Sequence, residues 1–141
     1  MPAEFYALSV KQPWAALLAA GVKTVEVRTW STERRGKILI HASKVPDPRP
    51  EAWAWVTTPE LTTAAELVGG IVGVAELTDC LRYPTKPKFV ADRGRHLNDP
   101  EWWVETGLYG FAFRDARPLP FVRWPGNTFF FPVAAELGET V

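Results

Sequence analysis

The chain is 141 residues long, and its sixteen basic residues balance sixteen acidic ones. That length predicts one domain over residues 1–141, with a single core and no separate unit carrying its own activity. Charge balance makes indiscriminate electrostatic attraction to long nucleic acid weak for the molecule as a whole, and a small ligand or a local strand contact fits better. No apolar run approaches the roughly 18–20 residues of a membrane span, and no basic-then-apolar signal pattern opens the chain, so a soluble, cytoplasmic protein is expected. Cys80 has no partner for a disulfide, and His41 and His96 stand apart without zinc-like spacing, so neither a metal nor a cofactor is expected.

Phe5 to Val10 alternates as a short strand, and Gln12-Pro13-Trp14 opens a helix with Pro13 at its first position. Trp14, Leu17 and Leu18 share one face of that helix, which Gly21 ends just before Lys23. Val25 and Val27 then alternate with Thr24, Glu26, Arg28 and Trp30 in a strand with one apolar and one polar, aromatic side. Gly36 to Ser43 reads as the next strand. After the proline-dense loop Pro46 to Pro50, Glu51 to Trp55 is helical in pattern, and Thr58-Pro59-Glu60 caps a further helix that Gly69-Gly70 ends.

Ile71 to Cys80 is a strand, with Val72, Val74 and Glu76 on one face and Ile71, Gly73, Ala75 and Leu77 on the other. Arg82, Lys86, Lys88, Arg93, Arg95 and His96 populate a basic loop, read either as a phosphate-contacting arm or as a solvated segment. Asp99-Pro100-Glu101 caps a brief helix. Phe-rich strands follow at Leu108 to Phe113, Phe121 to Trp124 and Thr128 to Val133, separated by Pro118, Pro120, Pro125 and Gly126. Six or seven short strands with helices in the connections favour a closed or nearly closed barrel, with an open α+β sheet as the competing architecture.

Charge chemistry concentrates in Gly21 to Trp30. Glu26 and Arg28 share a strand face, and Lys23, at the strand's first position, can turn toward the same side. A carboxylate between an ammonium and a guanidinium stays ionised, and burial would poise the lysine for proton transfer; ordinary ion pairs on a solvated strand are the alternative. Glu76, acidic in an otherwise apolar strand, calls for a partner, with Lys23 or Arg28 as candidates and an exposed position as the alternative. Trp14 and Trp30 flank the charged segment, where they can stack on a planar base or simply pack. Ser9, Lys11, Gln12 and Ser43 are small polar candidates for a cleft rim.

Three blocks in order, Leu8 to Ala15, Gly21 to Trp30 and Arg35 to Ser43, resemble the ASCH domain family, a branch of the PUA-like superfamily. Gly70 to Cys80 resembles that family's central strand, and Tyr109-Gly110-Phe111 with Arg117 to Pro120 its late strand and turn. The resemblance implies a mainly β, PUA-like β-barrel with short helices in its connections. It also implies a cleft lined by the Gly-x-Lys-x-x-Glu-x-Arg segment, here Lys23, Glu26 and Arg28, for RNA or a nucleobase-like ligand, with Ser9 and Ser43 added at the rim. Some bacterial members hydrolyse the acyl amide of N4-acetylcytidine with a lysine, a threonine and a later glutamate. Lys23 and Glu76 match the first and third of these, whereas the threonine position falls on Glu26, with Thr24 as the nearest substitute. Four functions are open: a reader of RNA or a modified nucleoside using Glu26, Arg28, Trp30, Trp14, Ser9, Gln12 and Ser43; an amidohydrolase in which Lys23 and Glu76 activate water, or Thr24 attacks; a ribonuclease; and a plain interaction domain whose cleft is vestigial. No membrane partner is expected.

Overall fold

The computed structural model describes residues 5–134. Its frame is one mixed sheet of six strands: β1 (Phe5–Val10), β2 (Val25–Arg28), β3 (Gly36–Ala42), β4 (Gly70–Tyr83), β5 (Leu108–Arg123) and β6 (Phe131–Val133). The strands lie in the order β2-β5-β4-β3-β1-β6. Only β1 and β3 run parallel, and their connection carries helix α1 (Trp14–Ala19). The long strands β4 and β5 coil the sheet into a half-barrel, which is the PUA-like architecture.

Every residue of α1 is buried, and the helix covers one sheet face as the centre of a core with Leu8, Val10, Ile38, Ile40, Val72 and Leu77. A second cluster takes the alternate positions Ala7, Leu39, Ile71 and Val74 of these strands, together with Leu119 of β5 and Phe131 and Val133 of β6. Gln12 anchors the start of α1. Its side-chain oxygen accepts from Ala16 N at 3.0 Å, while its amide donates to the carbonyls of Ala64 and Leu67 at 3.0 and 2.9 Å. Those carbonyls lie in the last turn of α3 (Pro59–Ala65) and two residues beyond it, and Thr58 caps that helix by accepting from Leu61 N at 3.2 Å. Helix α2 (Pro50–Trp53) lies in the preceding connection.

Two segments depart from the sequence reading. Pro118 and Pro120 do not separate two strands, because β5 runs unbroken from Leu108 to Arg123; Pro118 stands opposite Gly73, where the pairing with β4 shifts register, so its missing N–H falls at an irregular point of the ladder. The basic segment is helical rather than a loop, forming α4 (Lys86–Ala91) and α5 (Arg93–His96). Thr85 caps α4, with Pro87 in its first turn, and the apolar anchor Phe89 is fully buried.

Strand β4 carries one extra residue. Ile40 pairs with Gly73 and His41 with Ile71, leaving Val72 unmatched on β3. Val72 and Gly73 therefore both face α1, where a Cβ on Gly73 would lie 2.6 Å from the Ala19 Cβ and 2.9 Å from the Arg117 carbonyl. Beyond the bulge the alternation is inverted, so Ala75 and Leu77 join the main core while Val74 and Glu76 take the opposite face. Gly73→Ala is expected to destabilise the fold by about 1–3 kcal/mol through overpacking. Gly94→Ala, at a helical position with nothing within 4 Å, should instead stabilise by about 0.4–1 kcal/mol. Urea unfolding of the two variants checks the contrast.

Candidate functional site

A cavity of about 560 Å³ opens between β1, β2, the loop after β3 and the segments 98–108 and 127–128. Its charged base is the chain Lys23–Glu26–Arg28. Lys23 is 1% exposed, although it lies between the end of α1 and β2. Two backbone bonds to the Leu17 carbonyl, from Val22 N at 3.0 Å and Lys23 N at 3.1 Å, turn the chain there and aim the side chain inward. Its ammonium donates to the His96 carbonyl and to Asn98 Oδ1 at 2.9 Å, lies 3.7 Å from Glu26 Oε1, and sits 4.6 Å from the Trp14 ring centroid.

Burial lowers the Lys23 pKa to about 8; the neighbouring Glu26 carboxylate limits the fall and the Arg28 charge adds to it. Glu26 faces the ammonium with one oxygen and accepts from Arg28 with the other, at 3.2 Å from Nε and 2.9 Å from Nη2. Arg28 Nη2 also donates to the Ser9 carbonyl at 2.8 Å, tying β2 to β1 across the cavity.

The acceptors of the lysine come from the helical excursion. His96 is fully buried, stacked on Phe89 with 4.2 Å between centroids, donates from Nε2 to the Phe89 carbonyl at 2.6 Å, and accepts from Asn98 N at 2.9 Å. Leu97 between them has φ 63°, a left-handed turn that brings the His96 carbonyl and the Asn98 amide to one ammonium. Three other cations of the excursion are engaged locally: Arg95 with Asp92 at 2.7 Å, Lys86 with Glu101 at 3.8 Å, and Arg93 with Asp99 at 3.9 Å.

A second wall comes from the proline-dense loop. Asp47 is 2% exposed and accepts from Trp14 Nε1 at 2.9 Å and from Arg49 Nε and Nη2 at 2.9 and 2.8 Å. Burial alone would raise its pKa, but the bonds from Arg49 and Trp14 outweigh that and hold it at about 2. Arg49 lies 3.6 Å over the Trp102 ring. At the far rim Ser9 Oγ is 2.9 Å from His41 Nδ1 and 2.8 Å from Ser43 Oγ, with His41 Nε2 at 2.6 Å from the Trp124 carbonyl.

Of the residues singled out in the sequence, Ser9, Lys11, Trp14, Glu26, Arg28, Trp30 and Ser43 line this cavity, and Lys23 lies directly beneath it. Trp30 packs edge-on against Phe111, Phe129 and Phe130. Three others are not brought in. Gln12 is buried and fully committed to α1 and α3. Thr24 is held by its backbone, bonded to the Arg95 carbonyl at 2.9 Å and the Phe113 amide at 2.8 Å, and does not line the cavity. Glu76 has neither Lys23 nor Arg28 as its partner: past the bulge it faces outward and accepts from Arg114 Nε at 2.8 Å.

Asp47, Arg49, Asn98, Trp102 and His41 enter the site unannounced by the sequence reading. The usable signals were an acid two residues before an arginine between prolines, and His41 and Ser43 two apart at the end of a strand. No cluster of three or more metal-ligating side chains occurs among the described residues. No described helix is long and apolar enough to cross a membrane.

A half-barrel whose β1–α1–β2 segment delivers a buried lysine and a carboxylate–guanidinium pair to a lateral cavity defines a PUA-like protein of the ASCH type. The chain belongs to the ASCH domain family, whose model matches residues 8–104. It is 38% identical over 84 residues to human activating signal cointegrator 1 and 37% identical over 84 residues to the mouse protein, covering 54% of this chain in each case. The match spans 14% of the length of those relatives. Among solved structures, ASCH from Zymomonas mobilis has 17% sequence identity and a TM-score of 0.64, with 95% of this chain and 90% of that one covered. A point mutant of the same Zymomonas mobilis protein has 14% identity and a TM-score of 0.66, covering 95% and 93%.

The depressed Lys23 pKa makes a signed prediction. Below about pH 8 the lysine is protonated folded and unfolded alike; between about 8 and the unfolded value of 10.5 the unfolded chain binds more protons. The lysine's contribution to stability therefore rises with pH across that window, by roughly 3 kcal/mol at about 1.4 kcal/mol per pKa unit. Denaturant unfolding of wild type and Lys23→Met at pH 7.5 and 10.5 should show the difference moving toward wild type at the higher pH.

Proposed function

We propose that the chain is a reader of RNA or of a nucleobase, modified or not, which takes one base into the cavity above Lys23. The observation carrying this reading is a carboxylate and a guanidinium held in fixed mutual geometry at the base of a cavity walled by Trp14, Trp30 and Trp102. A volume of about 560 Å³ suits a small molecule, and apolar walls with a few convergent polar groups are the usual composition of such sites. Glu26 supplies acceptors for the ring N–H or amino edge of a base, Arg28 supplies donors for its carbonyls, and an aromatic wall supplies a stacking surface. The family resemblance points to the same ligand class.

Water activation by Lys23 and Glu76 loses support, because Glu76 is paired with Arg114 outside the cavity. Thr24 as a nucleophile loses support for the same reason of place. For a ribonuclease, the general acid–base pair of two histidines is lacking, since His41 and His96 are buried in separate networks.

Calorimetric titration with free nucleosides, N4-acetylcytidine among them, and with short single-stranded RNA tests the reading. Binding is expected for at least one, weakened about tenfold or more by Trp30→Ala through loss of a stacking contact of about 1–3 kcal/mol, and lost in Lys23→Ala. Absence of heat and of thermal shift with every ligand at saturating concentration overturns it. Release of acetate from N4-acetylcytidine would replace the reader with the amidohydrolase.

A further inference from the structure

Outside the Lys23–Glu26–Arg28 chain, the same cavity holds a second polar group that base recognition does not use. Ser9 on β1 and His41 on β3 stand directly opposite each other in the parallel ladder, and Ser43 continues the His41 side two residues on. The parallel pairing thus sets one hydroxyl on the imidazole, and a second hydroxyl, that of Ser43, on the first.

Hydrogen-bond chemistry fixes the tautomer. The Trp124 carbonyl, 2.6 Å from His41 Nε2, can only accept, so Nε2 carries the ring proton. In the neutral imidazole Nδ1 is then a bare lone pair, and Ser9 Oγ, 2.9 Å away, must donate to it. His41 is 1% exposed, and burial lowers its pKa, which keeps the ring neutral near pH 7. Ser43 Oγ, at 2.8 Å, is left to donate to Ser9 Oγ.

Gly126 keeps the hydroxyl open. Its φ does not lie in the left-handed region, so the backbone does not demand glycine there. A Cβ at that position would lie 3.0 Å from Ser9 Oγ and 2.8 Å from His41 Cε1. The missing side chain leaves room beside the nucleophilic atom, on the side where Asn127 and Thr128 border the cavity. Arg28 completes the surroundings. Its Nε and Nη2 are committed to Glu26 and the Ser9 carbonyl, and among the described residues no hydrogen bond engages Nη1.

We infer that Ser9 is a nucleophile, with His41 as its general base and the Trp124 carbonyl as the group that orients the base, acting on a small carboxylic ester bound in the cavity. Ser9 Oγ adds to the acyl carbon and its proton passes to His41 Nδ1. Negative charge forms on the acyl oxygen beside the Arg28 guanidinium. The carbon–oxygen bond to the alcohol breaks, and the departing alkoxide takes the proton from Nδ1, leaving acyl-Ser9. Water then adds to the acyl carbon, giving its proton to Nδ1; the tetrahedral adduct releases the carboxylic acid, and the proton returns to Ser9 Oγ. The Trp124 carbonyl holds Nε2–H throughout and stabilises the transient imidazolium.

The experiment is independent of any nucleobase ligand. Wild-type protein is treated with diisopropyl fluorophosphate, which a histidine-activated serine displaces with loss of fluoride, and in parallel with p-nitrophenyl acetate. Intact-mass and peptide mass spectrometry should find one diisopropylphosphoryl group on Ser9 and a p-nitrophenol burst of about one equivalent. Ser9→Ala should abolish both, and His41→Gln should slow adduct formation about 100-fold or more. Wild-type protein that stays unmodified under reagent excess, or an adduct mapping to any other residue, overturns the inference whether or not the variants fold. Nucleoside titration reads the base-binding proposal without reference to the adduct, so failure of one leaves the other standing.

Discussion

Everything in the site depends on placing the ammonium of Lys23 where water does not reach it. Removing a charge from water costs several kcal/mol unless hydrogen bonds and an opposite charge replace the lost hydration. The molecule supplies four compensations: a carbonyl at His96, an amide oxygen at Asn98, a carboxylate at Glu26 and the face of Trp14. None belongs to the lysine's own turn, and two come from some 75 residues away in sequence. The helical excursion between β4 and β5 is therefore more than a connection. Its buried Phe89–His96 stack and the left-handed Leu97 hold the acceptors that make the buried cation tolerable.

From that cation the order passes outward by alternation of sign. Lys23 fixes one oxygen of Glu26, Glu26 fixes Arg28 through the other, and Arg28 spans to the backbone of Ser9. Each link is positioned by the one beneath it, so the polar groups reaching the cavity have little rotamer freedom left to lose when a ligand arrives. Asp47 performs the same service on the opposite wall. One buried carboxylate fixes the indole of Trp14 and the guanidinium of Arg49, and the latter sits over the Trp102 ring.

What the sequence revealed of this arrangement follows the range of the interactions. The turn from α1 into β2 depends on neighbours within ten residues, and there strand alternation put Glu26 and Arg28 on one face, while the side taken by Lys23 stayed open until the family resemblance added it to the cleft. Asn98 reaches the site only through tertiary contacts, and nothing local marks it, whereas the Asp47–Arg49 pair is local but its link to Trp14 is not. Glu76 shows a different failure. Strict alternation from Val72 put it on the face of the core, and the single unmatched residue of β4 reversed the parity, giving it to Arg114. Pro118 and Pro120 looked like strand breakers for a related reason, since a proline at an irregular point of a ladder forfeits no bond.

The same bulge carries a consequence for the rim. His41 and Ile40 straddle the register shift, so β3 keeps regular alternation past Ile40 while β4 absorbs the extra residue. Had the insertion fallen on β3, His41 would face the side of Ile38 and Ile40, in the apolar core with α1, away from Ser9. Confining the irregularity to β4 keeps Ser9 and His41 opposite each other on one face, and it sends Glu76 outward on the other strand. One extra residue thus parts Glu76 from Lys23 and Arg28, the partners expected for it, and leaves Glu26 over the lysine with a serine–histidine pair beside it.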